Sequence, residues 1–516
     1  MSRNARFAVP MAYGVLLGAA LFLCFYRLDA RLLWGDEAET ATLARNILQF
    51  GVPRTSDGLN EITLLTVLGR GVVASKNGVW TWSPWLQEYV AAGSFAVFGP
   101  TTWAARAPFA LIGWLSVVAT GWLAFRVYRS HAIALAAIAL LSFSELFLLH
   151  ARQCRYYSII VLAELLFVFA CHQLLNGRRS GAFAAAGALI VQFYSNYIVV
   201  AANVPALLLL AIILYFRQRR CLPALILAVA GFALAASPWL LYANPAGQVD
   251  FVAGESFWPK LRFYTLEFHM HFVPWAFALL PAAGWMVRRT RKPAFSERSD
   301  LGRAFEFLLV FLLITSIAVL VQPPGHFLRY MLMVLPVGCL LASSWTFRTI
   351  RSRAAATALI ATVCLTNGLA IATAYPWRGG HTLRWPMANW LVSVHRPYGS
   401  RLDDVVQFLR KEAQPGQSVY VFDPELPLIF YTGLKIIDGR AGNGLLPQVL
   451  PDWVLSESAS GVISVPPTLL PESLASEYRV IALPVHDSRR MGVIPEPDVY
   501  EFESAGMTSL LIYKKR

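Results

Sequence analysis

Charge is what this sequence has least of. Of its 516 residues only 14% are Asp, Glu, Lys or Arg, against 57% hydrophobic, and the mean hydropathy is +0.52. That balance excludes an ordinary soluble globular chain. Cysteine is also scarce: six residues, at 24, 154, 171, 221, 339 and 364, lie in or beside hydrophobic runs, and none falls later in the chain. A disulfide framework and a cysteine metal centre are therefore both excluded. No internal repeat or low-complexity tract is present. No small-x-small cleavage signal follows the first hydrophobic run, only Tyr26-Arg27-Leu28-Asp29-Ala30, so that run reads as an uncleaved anchor. The net charge of +14 would suit nucleic acid, but no motif for nucleic acid accompanies it.

What the chain has in abundance is hydrophobic length. A bilayer-spanning helix needs roughly 20 mainly apolar residues. Such stretches fall near 8–27, 103–128, 132–150, 156–175, 182–196, 197–216, 222–242, 272–287, 305–321, 328–347 and 354–374, about eleven in all. The expected fold is thus a mainly α-helical, multi-pass membrane protein. With the N-terminus inside, the cytoplasmic segments carry Arg3 and Arg6, Arg126 and Arg129, Arg178 and Arg179, and Arg217, Arg219 and Arg220. Further along they carry Arg288, Arg289, Arg291, Lys292, Arg298 and Arg303, then Arg348, Arg351 and Arg353. Every inside loop is basic, as the positive-inside rule requires. Residues 375–516 hold 14 Lys+Arg against 15 Asp+Glu, so the positive excess belongs to the membrane part and reports topology.

An odd number of spans places the tail outside. Two exterior regions are expected: a long first loop at 28–102, and a small α/β domain at 375–516 following the membrane domain 1–374. Within the loop, 36–49 reads as one helix, and Trp82-Ser83-Pro84-Trp85-Leu86-Gln87-Glu88-Tyr89 opens a second that runs to Phe98. Within the tail, Asp403–Glu412 reads as a helix, and Ser418–Phe422, Tyr478–Leu483 and Ser509–Tyr513 read as strands.

The residues with chemical potential gather at the exterior ends. Asp36, Glu37 and Glu39 follow directly on the first span. Asp36 with Glu39 fits a helix capping box; Glu37 is left over. A carboxylate at this position can accept a proton from a hydroxyl, or hold a divalent cation through oxygen. Exterior cations include Arg152 and Arg155 beside Tyr156, Arg329 beside Tyr330, and Lys260, Arg262, His269 and His271 in the loop after span seven. Arginine suits bidentate contact with phosphate, so Arg152, Arg155 and Arg329 are the candidate phosphate ligands. Of the acids within the spans, Glu145 is expected to reach the site or to pair with Arg152, and Glu306 to snorkel to the cytoplasmic side. Glu164 has no evident partner.

Taken together, these residues resemble the polyprenyl-phosphate-dependent glycosyltransferases of the protein O-mannosyltransferase and aminoarabinose (lipid A) transferase superfamily, which have the GT-C fold. The resemblance rests on Trp34-Gly35-Asp36-Glu37 after the first span and on the stretch from Pro84 to Phe98-Gly99 running into Trp103-Ala104-Ala105-Arg106-Ala107-Pro108. It is supported by the Arg152–Tyr156 turn, by Arg329-Tyr330 before Pro336, and by Phe430-Tyr431-Thr432-Gly433 in the tail. It covers the whole membrane part and is strongest over 30–130.

The resemblance implies that Asp36 acts at the catalytic centre with Glu37 beside it. It further implies a polyprenyl-phosphate sugar donor, and a lipid, glycan or protein acceptor at the periplasmic face of a bacterial inner membrane. The reaction would invert the sugar, and a divalent metal would be a candidate cofactor at Asp36. One departure stands out. Many members carry a charged residue or His before a Pro-Pro pair in the second interfacial helix; this chain has Trp82-Ser83-Pro84-Trp85, with Glu88 the candidate substitute one turn along. The rival readings are a multi-pass transporter or lipid flippase, and a non-catalytic member of the fold.

Overall fold

A computed structural model describes residues 3–62, 76–244, 256–289, 300–321, 327–375, 380–395, 399–421, 425–439, 450–456, 476–487 and 506–516. Helix α1 (Arg3–Phe25) opens the chain, and α2 (Gly35–Phe50) and α3 (Leu86–Phe98) occupy the first long loop. A helical series follows: α4 (Thr102–Tyr128), α5 (His131–Ser142), α6 (Glu145–Ala151), α7 (Tyr157–Leu175), α8 (Ser180–Ser195), α9 (Tyr197–Arg217) and α10 (Leu222–Ala243). It continues with α11 (Phe257–His271), α12 (Ala276–Arg289), α13 (Asp300–Leu320), α14 (Leu335–Thr349), α15 (Arg353–Leu365) and α16 (Gly368–Ala374).

A helix stands at each position where a span is expected. Among the described residues, seven helical segments are long and apolar enough to cross a bilayer, or nine if the bent pairs α5–α6 (64°) and α15–α16 (90°) each make one span. Helices α8 and α12 have 16 and 14 residues, short of the length a straight crossing needs. Single polar residues divide the apolar runs: the side chains of Ser130, Ser144, Asn196 and Ser352 each accept a backbone N–H at the start of α5, α6, α9 and α15. This is a multi-pass membrane protein.

The chain divides into two compact units, one of residues 1–26, 109–152 and 156–389, the other of 27–108, 153–155 and 390–516. The first holds the apolar helices. Leu208, Ile212 and Phe216 on α9 and Ile226, Leu234 and Leu241 on α10 are exposed, as side chains facing lipid would be. Helices α7 and α8 approach closely, since a methyl group at Gly181 would lie 2.7 Å from the Ala170 carbonyl oxygen.

Several buried polar groups in this unit are paired with one another. Glu164 on α7 accepts from Gln192 on α8 and from Asn203 on α9, both at 2.8 Å, and Asn203 also donates to Gln192 at 3.0 Å. The triad ties three helices where the surroundings offer no water. Glu145 differs from expectation: it pairs with Arg384 (2.8 and 3.1 Å), while Arg152 donates to the Tyr26 carbonyl. The expected Glu145–Arg152 pair fails because Arg384, distant in sequence, presents both donors of one guanidinium nitrogen. Glu306 is buried and pairs with Arg348. The segment with Lys260, Arg262, His269 and His271 is helix α11 rather than loop.

The second unit contains α2 and α3 together with the tail elements, which are the end of α17 (Pro386–His395), α18 (Arg401–Glu412) and α19 (Glu425–Thr432), with strands β1 (Ser418–Val421), β2 (Lys435–Asp438), β3 (Trp453–Leu455), β4 (Tyr478–His486) and β5 (Met507–Lys515). The sheet order is β2-β1-β3-β5-β4. Strand β1 is parallel to β2 and β3, and β5 is antiparallel to β3 and β4. The first loop is built onto this sheet. Asn60 donates to the Leu434 carbonyl and accepts from the Ile436 amide, satisfying backbone groups at the edge strand β2. Arg45 bonds Asp57 and the carbonyls of Ile429 and Phe430.

Replacing Glu164 with Leu strands the Gln192 and Asn203 amides in the bundle and is expected to cost about 1–2 kcal/mol, whereas Glu164→Gln keeps an acceptor and should lie near wild type. Thermal unfolding in detergent checks this, and equal midpoints for the two variants would contradict it.

Candidate active site

The acidic segment folds as the first turn of α2. Its N-cap is Trp34, with no side-chain cap bond, and Gly35, Asp36 and Glu37 are the first three helical residues. The expected capping box does not form: Asp36 lies inside the helix, and Glu39 is drawn away by an arginine. Carboxylates at this end are stabilised by the positive end of the helix dipole.

Arg106, near the start of α4, holds this turn. Its Nε and Nη2 donate to the two oxygens of Glu37 at 2.8 and 2.6 Å. Nη1 donates to the carbonyls of Leu28 and Arg31, both at 2.9 Å, and Nη2 also to Leu32 at 3.1 Å. All the N–H donors of the guanidinium are thereby used. Glu37 additionally accepts the Cys154 amide at 2.9 Å and is completely buried. The tail seals the same corner: the Tyr431 hydroxyl accepts the Leu33 amide at 2.9 Å and meets the Thr102 hydroxyl at 2.7 Å. Burial pushes the Tyr431 phenol up to about 12.

Arg155 serves the other two acids. Its Nη1 donates to Glu39 (2.8 Å), to the Thr40 hydroxyl (3.0 Å) and to the Asp36 carbonyl (3.1 Å), and its Nη2 lies 3.7 Å from the Asp36 carboxylate. Side-chain exposure separates the acids sharply: 0% for Glu37, 8% for Glu39 and 31% for Asp36. Burial raises Glu39 above the usual carboxylate range, with Arg155 opposing.

Glu88, on the first turn of α3, is fully buried and accepts from the Gln87 amide at 3.0 Å. Burial pushes its carboxyl up to about 8; Arg155 pulls it down and Glu39 pushes it further up. Its second oxygen has no hydrogen-bond partner among the described residues. Burial thus favours the protonated form of Glu88, which lies close enough to feel the charges on Arg155 and Glu39.

No family model matches the sequence, and no curated protein matches it. Solved structures do. ArnT from Cupriavidus metallidurans in the apo state aligns with TM-score 0.58 and 14% identity, covering 98% of both chains. The same protein bound to undecaprenyl phosphate aligns with TM-score 0.55 and 15% identity, covering 96% of this chain and 97% of that one. The fold is GT-C. The resemblance read from Trp34 to Glu37 holds at the level of architecture.

Within this GT-C chain the candidate residues fall into two sets. Asp36, Glu37, Glu88 and Arg155 are gathered in the unit formed by the first loop and the tail. Arg152, Tyr156, Arg329 and Tyr330 belong to the helical unit. There Arg329 lies over the Phe327 ring at 4.2 Å and 5.8 Å from the Tyr330 ring centre, and the Tyr156 ring packs at 4.7 Å against that of Tyr157, tilted by 57°. Asp36 faces a guanidinium and belongs to no cluster of ligating side chains among the described residues, a setting that does not fit a bound cation. Arg106 and Tyr431 were missed as functional candidates. Both stood only within stretches that carry the resemblance, Trp103–Pro108 and Phe430–Gly433; Arg106 was also a lone cation at the outer end of a span, while the partners of Tyr431 at Leu33 and Thr102 are hundreds of residues away.

Arg106→Gln leaves Glu37 buried with an uncompensated charge, a loss of about 3–5 kcal/mol. The double variant Glu37→Leu/Arg106→Met should recover part of it, as read by thermal unfolding. Glu88 gives a pH signature. Its raised value means that its contribution to stability is full below the ordinary carboxylate value of 4.5 and is lost as pH rises through about 8. Glu88→Gln should therefore gain stability relative to wild type steadily across that window, and parallel curves for the two proteins would refute the assignment.

Proposed function

We propose that this protein is a membrane glycosyltransferase that moves a sugar from a polyprenyl-phosphate donor to an acceptor hydroxyl. The reaction is placed on the periplasmic face of a bacterial inner membrane, with 1–374 as the transferase domain and 375–516 as an exterior domain. The GT-C fold supports this reading, as does the aligned ArnT structure that holds undecaprenyl phosphate. The basic loops of the sequence support the orientation, with the N-terminus in the cytoplasm.

The observation that carries the proposal is the exposure of Asp36. Its neighbour Glu37 is consumed by Arg106, and Glu39 and Glu88 are buried, while the Asp36 carboxylate keeps an open side beside Arg155. On this reading Asp36 takes the proton of the acceptor hydroxyl. The freed oxygen forms a bond to the anomeric carbon as the carbon–phosphate oxygen bond breaks, and the bonding pair leaves on the phosphate. Attack opposite the leaving group inverts the anomeric centre, and no covalent enzyme intermediate forms. Arg155 orients Asp36 through its contacts with the side chain and the carbonyl, and Glu37 positions the turn. Arg152 and Arg329, with Tyr156 and Tyr330, are assigned to the donor phosphate, whose departure needs charge neutralisation more than protonation.

Purified protein given a polyprenyl-phosphate sugar and a panel of acceptors should release polyprenyl phosphate. Asp36→Asn should lower turnover by roughly 10²–10⁴-fold with its unfolding midpoint unchanged. An Asp36→Asn protein within twofold of wild type would end the proposal, and movement of the lipid without sugar transfer would favour a flippase.

A further inference from the structure

A cluster of ligating side chains lies within the helical unit. Glu267 and His271 stand four residues apart on α11 and so share one face of the helix. His381, beyond the end of α16, completes the group. The His271 Nε2 lies 3.0 Å from one oxygen of Glu267, and the His381 Nε2 lies 3.3 Å from the other. The three ligand atoms are all within 4.8 Å of one another.

We propose that Glu267, His271 and His381 form a binding site for a divalent cation of the zinc class. Tetrahedral zinc with bonds of about 2.0–2.1 Å sets its ligands about 3.3 Å apart. The three ligand atoms lie within 4.8 Å of one another here, so a cation would draw the side chains together to reach that spacing. Two imidazoles and one carboxylate are a nitrogen-rich, borderline-soft set that selects zinc, cobalt or nickel over magnesium or calcium, which prefer oxygen. One negative charge against a divalent ion, with three protein ligands, leaves a coordination position for water or an anionic oxygen. The side chains of Glu267 and His381 are 14% and 16% exposed, sheltered yet reachable.

The surrounding groups act on this site in a definite way. Arg384 donates to His271 Nδ1 at 2.9 Å and is itself held by both oxygens of Glu145. A neutral imidazole that ligates through Nε2 carries its proton on Nδ1, and there it can no longer accept from Arg384. Cation binding therefore requires Arg384 to release His271 and rest on Glu145 alone. Arg384 works against the cation, whereas a glutamine at that position could accept the Nδ1 proton and support it as an outer-shell partner.

The test uses full-length protein, purified in detergent on a tag without histidine, treated with chelator and titrated with Co²⁺ and then Zn²⁺. One equivalent of Co²⁺ should give a visible ligand-field spectrum without a thiolate charge-transfer band, and Zn²⁺ should displace it. Glu267→Gln and His381→Asn should each weaken Zn²⁺ binding by more than about 100-fold, beyond the 10–100-fold seen for outer-shell partners. Arg384→Gln should tighten it. The wild-type cobalt spectrum reports the ligand set directly, so the result does not depend on the variants folding. Absence of stoichiometric binding, titrations of Glu267→Gln and His381→Asn that match wild type, or a sulfur-ligated spectrum would each overturn the proposal and leave a hydrogen-bonded cluster only.

Discussion

The contact on which the acidic turn depends is the one between Arg106 and Glu37. A carboxylate with no exposure and a guanidinium with every donor engaged fix each other. Neither can be lost without leaving a charge in a place water does not reach, a cost well above that of an exposed ion pair. Because the same guanidinium also gathers the carbonyls of Leu28, Arg31 and Leu32, it sets the path of the chain into α2. Glu37 in turn holds the Cys154 amide and so fixes the turn that carries Arg155. One buried pair thus determines where Asp36 stands and what faces it.

The charges around that pair balance in a way the sequence alone does not suggest. Four carboxyl groups (Asp36, Glu37, Glu39 and Glu88) share two guanidiniums, which would leave an excess of two negative charges if all were ionised. Burial works against that excess: it pushes Glu88 up to about 8 and raises Glu39 as well. Glu37 is engaged by Arg106, and Asp36 lies beside Arg155. A cluster that looks heavily acidic in one dimension therefore presents a single open carboxylate in three.

Much of this architecture was legible because membrane helices are specified locally. Apolar length and loop charge are properties of contiguous segments, so helices appear at each expected span, and α2, α3, α18 and the strands β1, β4 and β5 fall close to their expected bounds. Pairing across the chain was not legible. Glu145 finds Arg384 rather than Arg152, and Glu164 finds Gln192 and Asn203, because side-chain direction on a helix depends on packing that local pattern does not record. The capping box failed for a related reason. A capping residue must compete with other donors for its side chain, and Arg155 offers Glu39 a charge-assisted bond stronger than a backbone amide can. Helices α8 and α12 are short in the sequence as well, where their apolar runs cover only 182–196 and 272–287.

The stretch Trp82-Ser83-Pro84-Trp85 sharpens what the proposed chemistry asks of Asp36. Where the resembling families place a charged residue or histidine, this chain has a turn whose polar groups are spent on itself: the Trp80 indole donates to the Ser83 hydroxyl at 2.8 Å and the Trp85 indole to the Trp80 carbonyl at 2.7 Å. Trp80 packs with Leu43 and Ile62 in the interior of the loop, with Trp82 and Trp85 against it. Such a segment supplies rigidity and apolar surface, and it offers no group to hold or deliver a proton. Glu88, the candidate substitute, is fully buried and lies within the field of Arg155 and Glu39. A transferase built this way has to draw its basicity from one carboxylate and its leaving-group stabilisation from guanidiniums. That division suits a phosphate leaving group, which departs as a stable anion and needs no proton of its own.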